Sequence, residues 1–191
     1  MELVVENATL KNIKGKQNVF VTPDNVKRIA EGAVNSDFLV DTFVIGDTVS
    51  EVEFGAFYFS DVRKVVFPEA YLPTKIINGI PWNTPVFNSC RNLEEVVLPK
   101  TIGEMASFFL WCYPQKIYVY ESTYSQLTDN LLKEIFKSQY KATSYVGKRA
   151  TNGKEYYPNV HIFSQETNKE LIHLYYKYEL PGVEPTIERL Y

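Results

Sequence analysis

The chain has 191 residues, of which 45% are hydrophobic and 23% are charged, and these values are close to those of ordinary globular domains. This length allows one domain, or one domain with an appendage, to bury a hydrophobic core. The 20 Lys and Arg residues against 23 Asp and Glu residues give a net charge of −3, too small for a protein that binds nucleic acid through its overall charge. The composition also excludes a membrane protein, a disulfide-stabilised scaffold and a disordered tail.

The N-terminal residues lack the positive start and the unbroken apolar run of a secretory signal, because Glu2 and Glu6 flank only three apolar residues. We therefore expect a cytoplasmic protein, or a cell-surface protein if a leader has been removed. Residues 1–18 are interpreted as an N-terminal cap, with a strand at Leu3-Val4-Val5 and a turn at Lys14-Gly15-Lys16.

An internal repeat follows the N-terminal segment. Residues 21–34 and residues 44–57 match when one is shifted by 23 positions, and the match includes a shared Gly-Ala pair. The paired positions are Val26 with Val49, Ile29 with Val52, Gly32 with Gly55, Ala33 with Ala56 and Val34 with Phe57. An apolar ladder with a matched Gly-Ala pair indicates a repeating structural unit.

The repeat continues beyond residue 57. The run Val65-Val66-Phe67-Pro68 recurs as Val96-Val97-Leu98-Pro99, and Phe87-Asn88-Ser89-Cys90 recurs 22 residues later as Phe109-Leu110-Trp111-Cys112. One unit is longer than the others, and its extra residues fall in 69–85, where proline and glycine are frequent.

A period of 22 or 23 residues is typical of a unit too short to bury its own apolar face. Such units stack into a solenoid, so that like positions form continuous apolar columns. The short valine-rich runs that end at proline are predicted to be strands of three to four residues, and the residues that alternate with the apolar ones are expected to face water.

This region, roughly residues 19–120, resembles the BspA-type leucine-rich repeat family of bacterial and protist proteins. The segment from Phe87 to Pro99 fits the second half of the family unit without a gap, and Pro23 to Ala33 fits the first half. Gly46 stands where the family has proline, and Ser60 stands where it has cysteine. The resemblance implies a leucine-rich-repeat solenoid that is β-rich, with short stacked strands and a C-terminal α+β cap.

The pattern changes after residue 120. Leu127, Leu131 and Ile135 recur at every fourth position, which predicts an amphipathic helix within 122–140. We interpret residues 121–191 as a helix followed by a tyrosine-rich cap region, because an open solenoid end would expose apolar columns and unpaired strand edges.

Patterns typical of catalysis or metal binding are not evident. Cys90, Cys112, His161 and His173 are widely spaced, with neither a C-x-x-C nor an H-x-x-x-H motif, so we predict no metal site and no cofactor. Cys90 and Cys112 occupy the same repeat position and are interpreted as small buried apolar groups on neighbouring turns. We predict that the protein is not an enzyme.

Two segments are candidates for contacts with a partner. The first is the insertion at 69–85, where Tyr71, Ile80 and Trp82 are predicted to contact another protein, or alternatively to fold back over the core. The second is the stretch 133–154, with six basic residues against one acid, in which Lys137, Lys141, Lys148 and Arg149 would contact nucleic acid or an acidic protein. The alternative for this stretch is a solvated helix face followed by a turn.

The sequence therefore predicts a non-catalytic protein–protein interaction module of bacterial or phage origin. An intracellular binding or inhibitory protein is the preferred interpretation. The alternatives are an adhesion-type repeat protein of the cell surface, which the family resemblance implies, and a nucleic-acid-binding accessory protein that uses 133–154.

Overall fold

The computed structural model describes residues 1–71, 76–77, 80–81, 85–102, 105, 108–112, 114, 116–120, 135, 149–151, 154–156 and 159–163. Its regular elements are strands, most of them only two to five residues long. In chain order they are β1 (Glu2–Glu6), β2 (Thr9–Val21), β3 (Arg28–Ile29), β4 (Phe38–Val44), β5 (Glu51–Val52), β6 (Phe57–Tyr58), β7 (Lys64–Val66), β8 (Ile76–Ile77), β9 (Ile80–Pro81), β10 (Phe87–Asn88), β11 (Glu95–Val97), β12 (Phe109–Leu110), β13 (Lys116–Tyr120), β14 (Arg149–Thr151), β15 (Lys154–Tyr156) and β16 (Asn159–Phe163).

The strands form a β-solenoid of about four turns, in which parallel strands of successive turns stack on one another. The long face contains β2, β4, β7, β11, β13 and β16 in that spatial order. The first short face contains the start of β2 with β3 and β5, and the second short face contains β6, β10 and β12. The predicted solenoid with short stacked strands is confirmed.

The registers follow the repeat read from the sequence. Val65 pairs with Val96 on the long face, Ile29 pairs with Val52 on the first short face, and Phe87 pairs with Phe109 on the second short face. Each of these residues is almost completely buried. Like residues therefore stack turn upon turn, which keeps the apolar columns continuous through the core.

Aromatic rings fill much of this core. Phe57, Phe87 and Phe109 stack face to face, with centroids of neighbouring rings 4.3 and 4.7 Å apart. Phe43 meets Phe57 edge-on at 4.9 Å, which links the long face to the second short face. Stacked and edge-on contacts between aromatic rings both add to the stability of protein interiors.

The outer side of the long face departs from the prediction that alternate residues face water. Val65 and Phe67 lie in the main core, while Val66 between them belongs to a second buried cluster together with Val44, Val97 and Tyr118. The physical reason is visible in the sequence, because continuous apolar runs such as Val65-Val66-Phe67 are typical of strands that are buried on both sides.

The N-terminal segment forms the first strands of the solenoid. β1 pairs in antiparallel fashion with β2, and Leu3 and Val5 of β1 pack against the main core. The turn expected at Lys14-Gly15-Lys16 is wrong, because β2 continues through these residues and Gly15 pairs with Phe38 of β4. A φ of 116° at Gly15, accessible mainly to glycine, keeps the strand continuous there.

At the other end, β16 pairs in parallel with β13, so residues 159–163 extend the long face by one strand. β14 and β15 form an antiparallel pair. The helix predicted within 122–140 lies outside the described residues, except for Ile135, which is buried in the core. Nowhere in the described part of the chain is there a helix with the length and apolar character needed to span a bilayer.

Candidate protein-binding surface

Tyr71, predicted to be an exposed contact residue, lies in the core. Its backbone N–H donates to the Pro68 carbonyl at 3.1 Å, as the N–H of Val26 does to Pro23. Tyr71 therefore occupies the inward position of Val26 in the repeat, and its ring packs 5.3 Å from the ring of Phe67. Burial raises the pKa of its hydroxyl above the usual range. At Tyr71 the exposed contact is wrong and the alternative, in which the segment folds back over the core, is what the structure has. The shared spacing from proline was the sequence signal for its burial.

The other residues of the insertion are only partly described. β8 and β9 pair in antiparallel fashion, so the backbone of Ile80 lies in a pair of short strands. Trp82 lies outside the described residues, and its predicted contact stays a prediction. Pro85 rejoins the solenoid, since its carbonyl accepts a hydrogen bond from the Gly55 N–H at 2.9 Å.

The basic stretch is also largely outside the described residues. This holds for Lys137, Lys141 and Lys148, while the backbone of Arg149 begins β14. A nucleic-acid contact at this stretch stays a prediction.

The two cysteines lie in one column of the solenoid, as predicted, together with Ser60. The Ser60 hydroxyl donates to Cys90 Sγ at 3.4 Å, and the Cys90 thiol donates to the Phe57 carbonyl at 2.8 Å. Cys90 and Cys112 are free thiols on neighbouring turns, and the Cys112 thiol donates to the Leu110 carbonyl at 3.4 Å. Burial raises the pKa of the Cys112 thiol well above its usual range, and the contact with Cys90 adds to this effect. This column is a packing element of the core.

Exposed aromatic side chains in β6 and in the residues next to it were not predicted from the sequence. Phe54, Tyr58 and Phe59 are 43%, 41% and 51% exposed, and we call these three residues the aromatic corner. The rings of Tyr58 and Phe59 meet edge-on with centroids 4.5 Å apart. Strand alternation was a sequence signal for Tyr58, which follows buried Phe57 in β6, but the same alternation would point Phe59 inward.

Backbone hydrogen bonds fix the positions of Tyr58 and Phe59 in the aromatic corner. Tyr58 pairs with Asn88 in the parallel ladder of β6 and β10. The Phe59 N–H donates to the Asn88 carbonyl at 3.0 Å, and the Tyr58 N–H donates to the Gly55 carbonyl at 3.1 Å. Because this backbone is already fixed by hydrogen bonds, it loses little conformational entropy when a partner binds the side chains that it carries.

Phe59 adopts an unusual backbone conformation. Its φ is +54°, in the left-handed region that bulky residues rarely enter. Ser89 and Trp111, at the same position of the next two turns, have φ values of +58° and +59°. The corner of the solenoid therefore imposes this conformation, and at Phe59 an exposed aromatic residue occupies a place that glycine or asparagine would fill with less strain.

Charged side chains form ion pairs between neighbouring turns. Arg28 donates to Glu51 at 2.8 Å on the first short face, and Arg63 lies 2.8 Å from Asp41 and 2.7 Å from Glu94 at another corner. Across the described ranges, no three histidine, cysteine or acidic side chains come together as metal ligands. The described surface can therefore make apolar and aromatic contacts with a partner, and these lie beside charged side chains that are held in ion pairs.

No protein-family model matches the chain, and neither a curated protein nor a solved structure matches it.

Proposed function

We propose that the protein is a non-catalytic protein–protein interaction module that uses the aromatic corner as its contact surface. The observation that carries this proposal is Phe59, whose ring is half exposed although its backbone is held at a φ of +54°. The corner imposes this angle, as it does at Ser89 and Trp111, and glycine would adopt it without the cost of about 1–3 kcal/mol that other residues incur there. A partner that covers the ring would account for an aromatic residue at this position.

Aromatic side chains are suited to this role. Tyrosine and related aromatic residues are enriched among the residues that dominate binding energies, because they bury a large area with few rotatable bonds. Tyr58 and Phe59 also present their rings from a hydrogen-bonded ladder, so less conformational entropy is lost on binding than with side chains on a loop.

We further propose that the solenoid belongs to the BspA-type leucine-rich repeat family. This proposal is supported by the shared column of Ser60, Cys90 and Cys112 and by the registers that follow the repeat. Gly46 takes the place of the family's proline at a turn with the same hydrogen bond as at Pro23.

The test is affinity capture from the source organism with the full chain as bait. The variant combines Tyr58→Ser with Phe59→Gly, and the matched control is Leu39→Ser, which removes an apolar side chain of similar exposure from β4. We expect a protein that is enriched by the wild type and the control, and whose direct affinity falls at least about tenfold for the variant, the loss typical of a dominant contact.

Equal capture by the variant and the wild type would contradict the proposed surface. Specific capture of no protein by the wild-type chain would contradict the proposed function itself.

A further inference from the structure

The outer side of the long face carries a buried apolar stripe. Four side chains, one each from β4, β7, β11 and β13, pair in register there and are each only 2% exposed: Val44, Val66, Val97 and Tyr118. We call these four residues the outer stripe. The described side chains of this cluster are the stripe and two partly buried valines of β2, all from the same sheet. Side chains that stand next to one another on one side of a sheet cannot cover each other's outward ends, so another part of the chain lies over the stripe.

Two of the segments that could cover the stripe are tied to the opposite side of the sheet. Tyr71, near the start of the insertion, and Val86, just after its end, both belong to the main core. Ile135, within the stretch predicted to be a helix, also belongs to the main core. The segment that remains is 164–191, which follows directly from β16 in the long face.

The burial of the outer side is graded along the sheet. From Tyr118 on β13 to Val44 on β4 the stripe is almost completely buried, whereas Val21 on β2, at the edge farthest from β16, is only partly buried. In β16, His161 pairs with Tyr118, and the strand ends two residues later at Phe163. The chain therefore leaves the long face one strand away from the stripe, and a cover that starts from β16 accounts for the gradient.

We infer that residues 171–180 pack across the outer stripe. Seven of these ten residues are apolar or aromatic: Leu171, Ile172, Leu174, Tyr175, Tyr176, Tyr178 and Leu180. Neighbouring strands are about 4.8 Å apart, so the stripe from Tyr118 to Val44 measures roughly 14 Å. Ten residues span about 15 Å as a helix and about 33 Å as a strand, so the run is long enough in either form.

The contact removes apolar surface of the segment and of the stripe from water, which is the main driving force for such packing. It also closes the outer side of the long face to other proteins. The aromatic corner stays accessible, since Tyr58 and Phe59 are 41% and 51% exposed. The inference does not depend on the proposed function, because the burial of the stripe is a property of the chain by itself.

Thiol labelling of the full chain tests the position of the segment. Val66→Cys places a thiol in the stripe, and iodoacetamide should modify it slowly because this position is buried. Addition of Leu171→Asp and Leu174→Asp should speed this labelling at least about tenfold, because carboxylates are costly to bury and would drive the segment off the stripe. The matched control adds Ile77→Asp and Ile80→Asp in the insertion, and it should leave the rate unchanged.

The native cysteines report on folding in the same sample. Cys90 and Cys112 belong to the main core and should stay unmodified in each variant while the fold is intact. Modification of these two thiols would reveal that the aspartates unfold the chain, and a second measurement without added charges then decides the question.

Cross-linking within the full chain is this second measurement. A cysteine is placed at one position of 171–180 at a time, together with Val66→Cys, and disulfides formed with a copper–phenanthroline oxidant are identified by mass spectrometry. A disulfide needs Cβ atoms about 3.5–4.5 Å apart, so we expect bonds only at the positions that contact the stripe. The matched control uses Leu39→Cys, at an exposed position of β4, which should form no bond with the segment.

Absence of a disulfide at all ten positions would overturn the inference. Unchanged labelling of the Leu171 and Leu174 variant, with the native cysteines protected, would also overturn it. Faster labelling in the insertion variant alone would assign the cover to the insertion and likewise reject residues 171–180. These results are distinct from a failure of the proposed function, which is judged by capture of a native partner.

Discussion

The Ser60 hydroxyl lies 3.4 Å from Cys90 Sγ, although 30 residues separate them in the chain. One turn of the solenoid, including the insertion, lies between them, and Cys112 follows on the next turn. Ser60 therefore occupies the position that cysteine has in the next two turns. Its hydroxyl stays within the column because it donates a hydrogen bond to the Cys90 sulfur. The column fixes how three successive turns align.

Chemical labelling tests the burial of the two cysteines. We expect Cys90 and Cys112 to resist alkylation in the folded protein, because both are buried and burial raises the pKa of the Cys112 thiol. Both should react after unfolding in urea. The measurement is mass spectrometry of iodoacetamide-treated protein, and rapid labelling of Cys112 under native conditions would contradict the stacked column.

Core and surface phenylalanines should respond differently to truncation. Phe87 stacks between the rings of Phe57 and Phe109, so Phe87→Ala is expected to lower the free energy of unfolding by about 3–5 kcal/mol. Phe59→Ala should change it by no more than about 0.5 kcal/mol, as is usual for surface positions. Urea unfolding measures both, and similar losses at the two sites would argue against the assignment of Phe59 to the surface.

Replacement of Phe59 by glycine should stabilise the protein. Phe59→Gly relieves a φ of +54° and is expected to raise the free energy of unfolding by about 1 kcal/mol, after the entropy cost of glycine. Phe54→Gly is the matched control, because Phe54 is similarly exposed but has no positive φ. The free energy of unfolding of Phe54→Gly should fall by about 0.5–1 kcal/mol. Destabilisation of the same size in both would show that Phe59 is not strained.

Gly46 should tolerate no side chain. A methyl group there would lie 2.8 Å from Thr22 Oγ1 and 3.0 Å from the Thr22 carbonyl oxygen, so Gly46→Ala is expected to cost about 1–3 kcal/mol. Gly46→Pro should cost more, because it also removes the N–H that donates to Thr22 Oγ1 at 2.6 Å. Addition of Thr22→Ala should recover part of the loss in Gly46→Ala. Thermal unfolding of the three variants checks this order.

Glu95 links stability to pH on the long face. Its carboxylate lies 2.7 Å from Lys64 Nζ and 3.4 Å from Lys116 Nζ. Burial acts to raise the pKa of Glu95, but the two lysines outweigh burial and lower it overall. The group therefore stabilises the fold above the usual glutamate pKa, and this contribution is lost as the pH falls through the lowered value.

The corresponding variant is Glu95→Gln. We expect it to be about 1–2 kcal/mol less stable than the wild type near pH 7, and the difference should shrink in acid once Glu95 is protonated. Urea unfolding across this pH range measures the difference, and a constant difference at every pH would contradict the role assigned to the ion pairs.

Much of the solenoid could be predicted because its signal is local and periodic. The matches of Val65 with Val96 and of Phe87 with Phe109 reappear as strand registers. The burial of Tyr71 was not predicted, because an aromatic residue in a proline-rich segment is typical of an exposed binding loop. Its spacing from Pro68, which matches that of Val26 from Pro23, indicated the buried position. Phe59 was missed because the sequence gives no direct sign of a left-handed corner at a residue other than glycine.

The amino-acid sequence by itself determined the period of the repeat, the residues that form each apolar column and the place of the cysteines, because stacking requires only that like positions recur. The tertiary structure decided which aromatic residues are exposed and which charged side chains form ion pairs. Exposure depends on the backbone angle at each corner, and pairing depends on distances between turns, as with Glu95 beside Lys64 and Lys116. Neither quantity is a property of one residue or its neighbours in sequence.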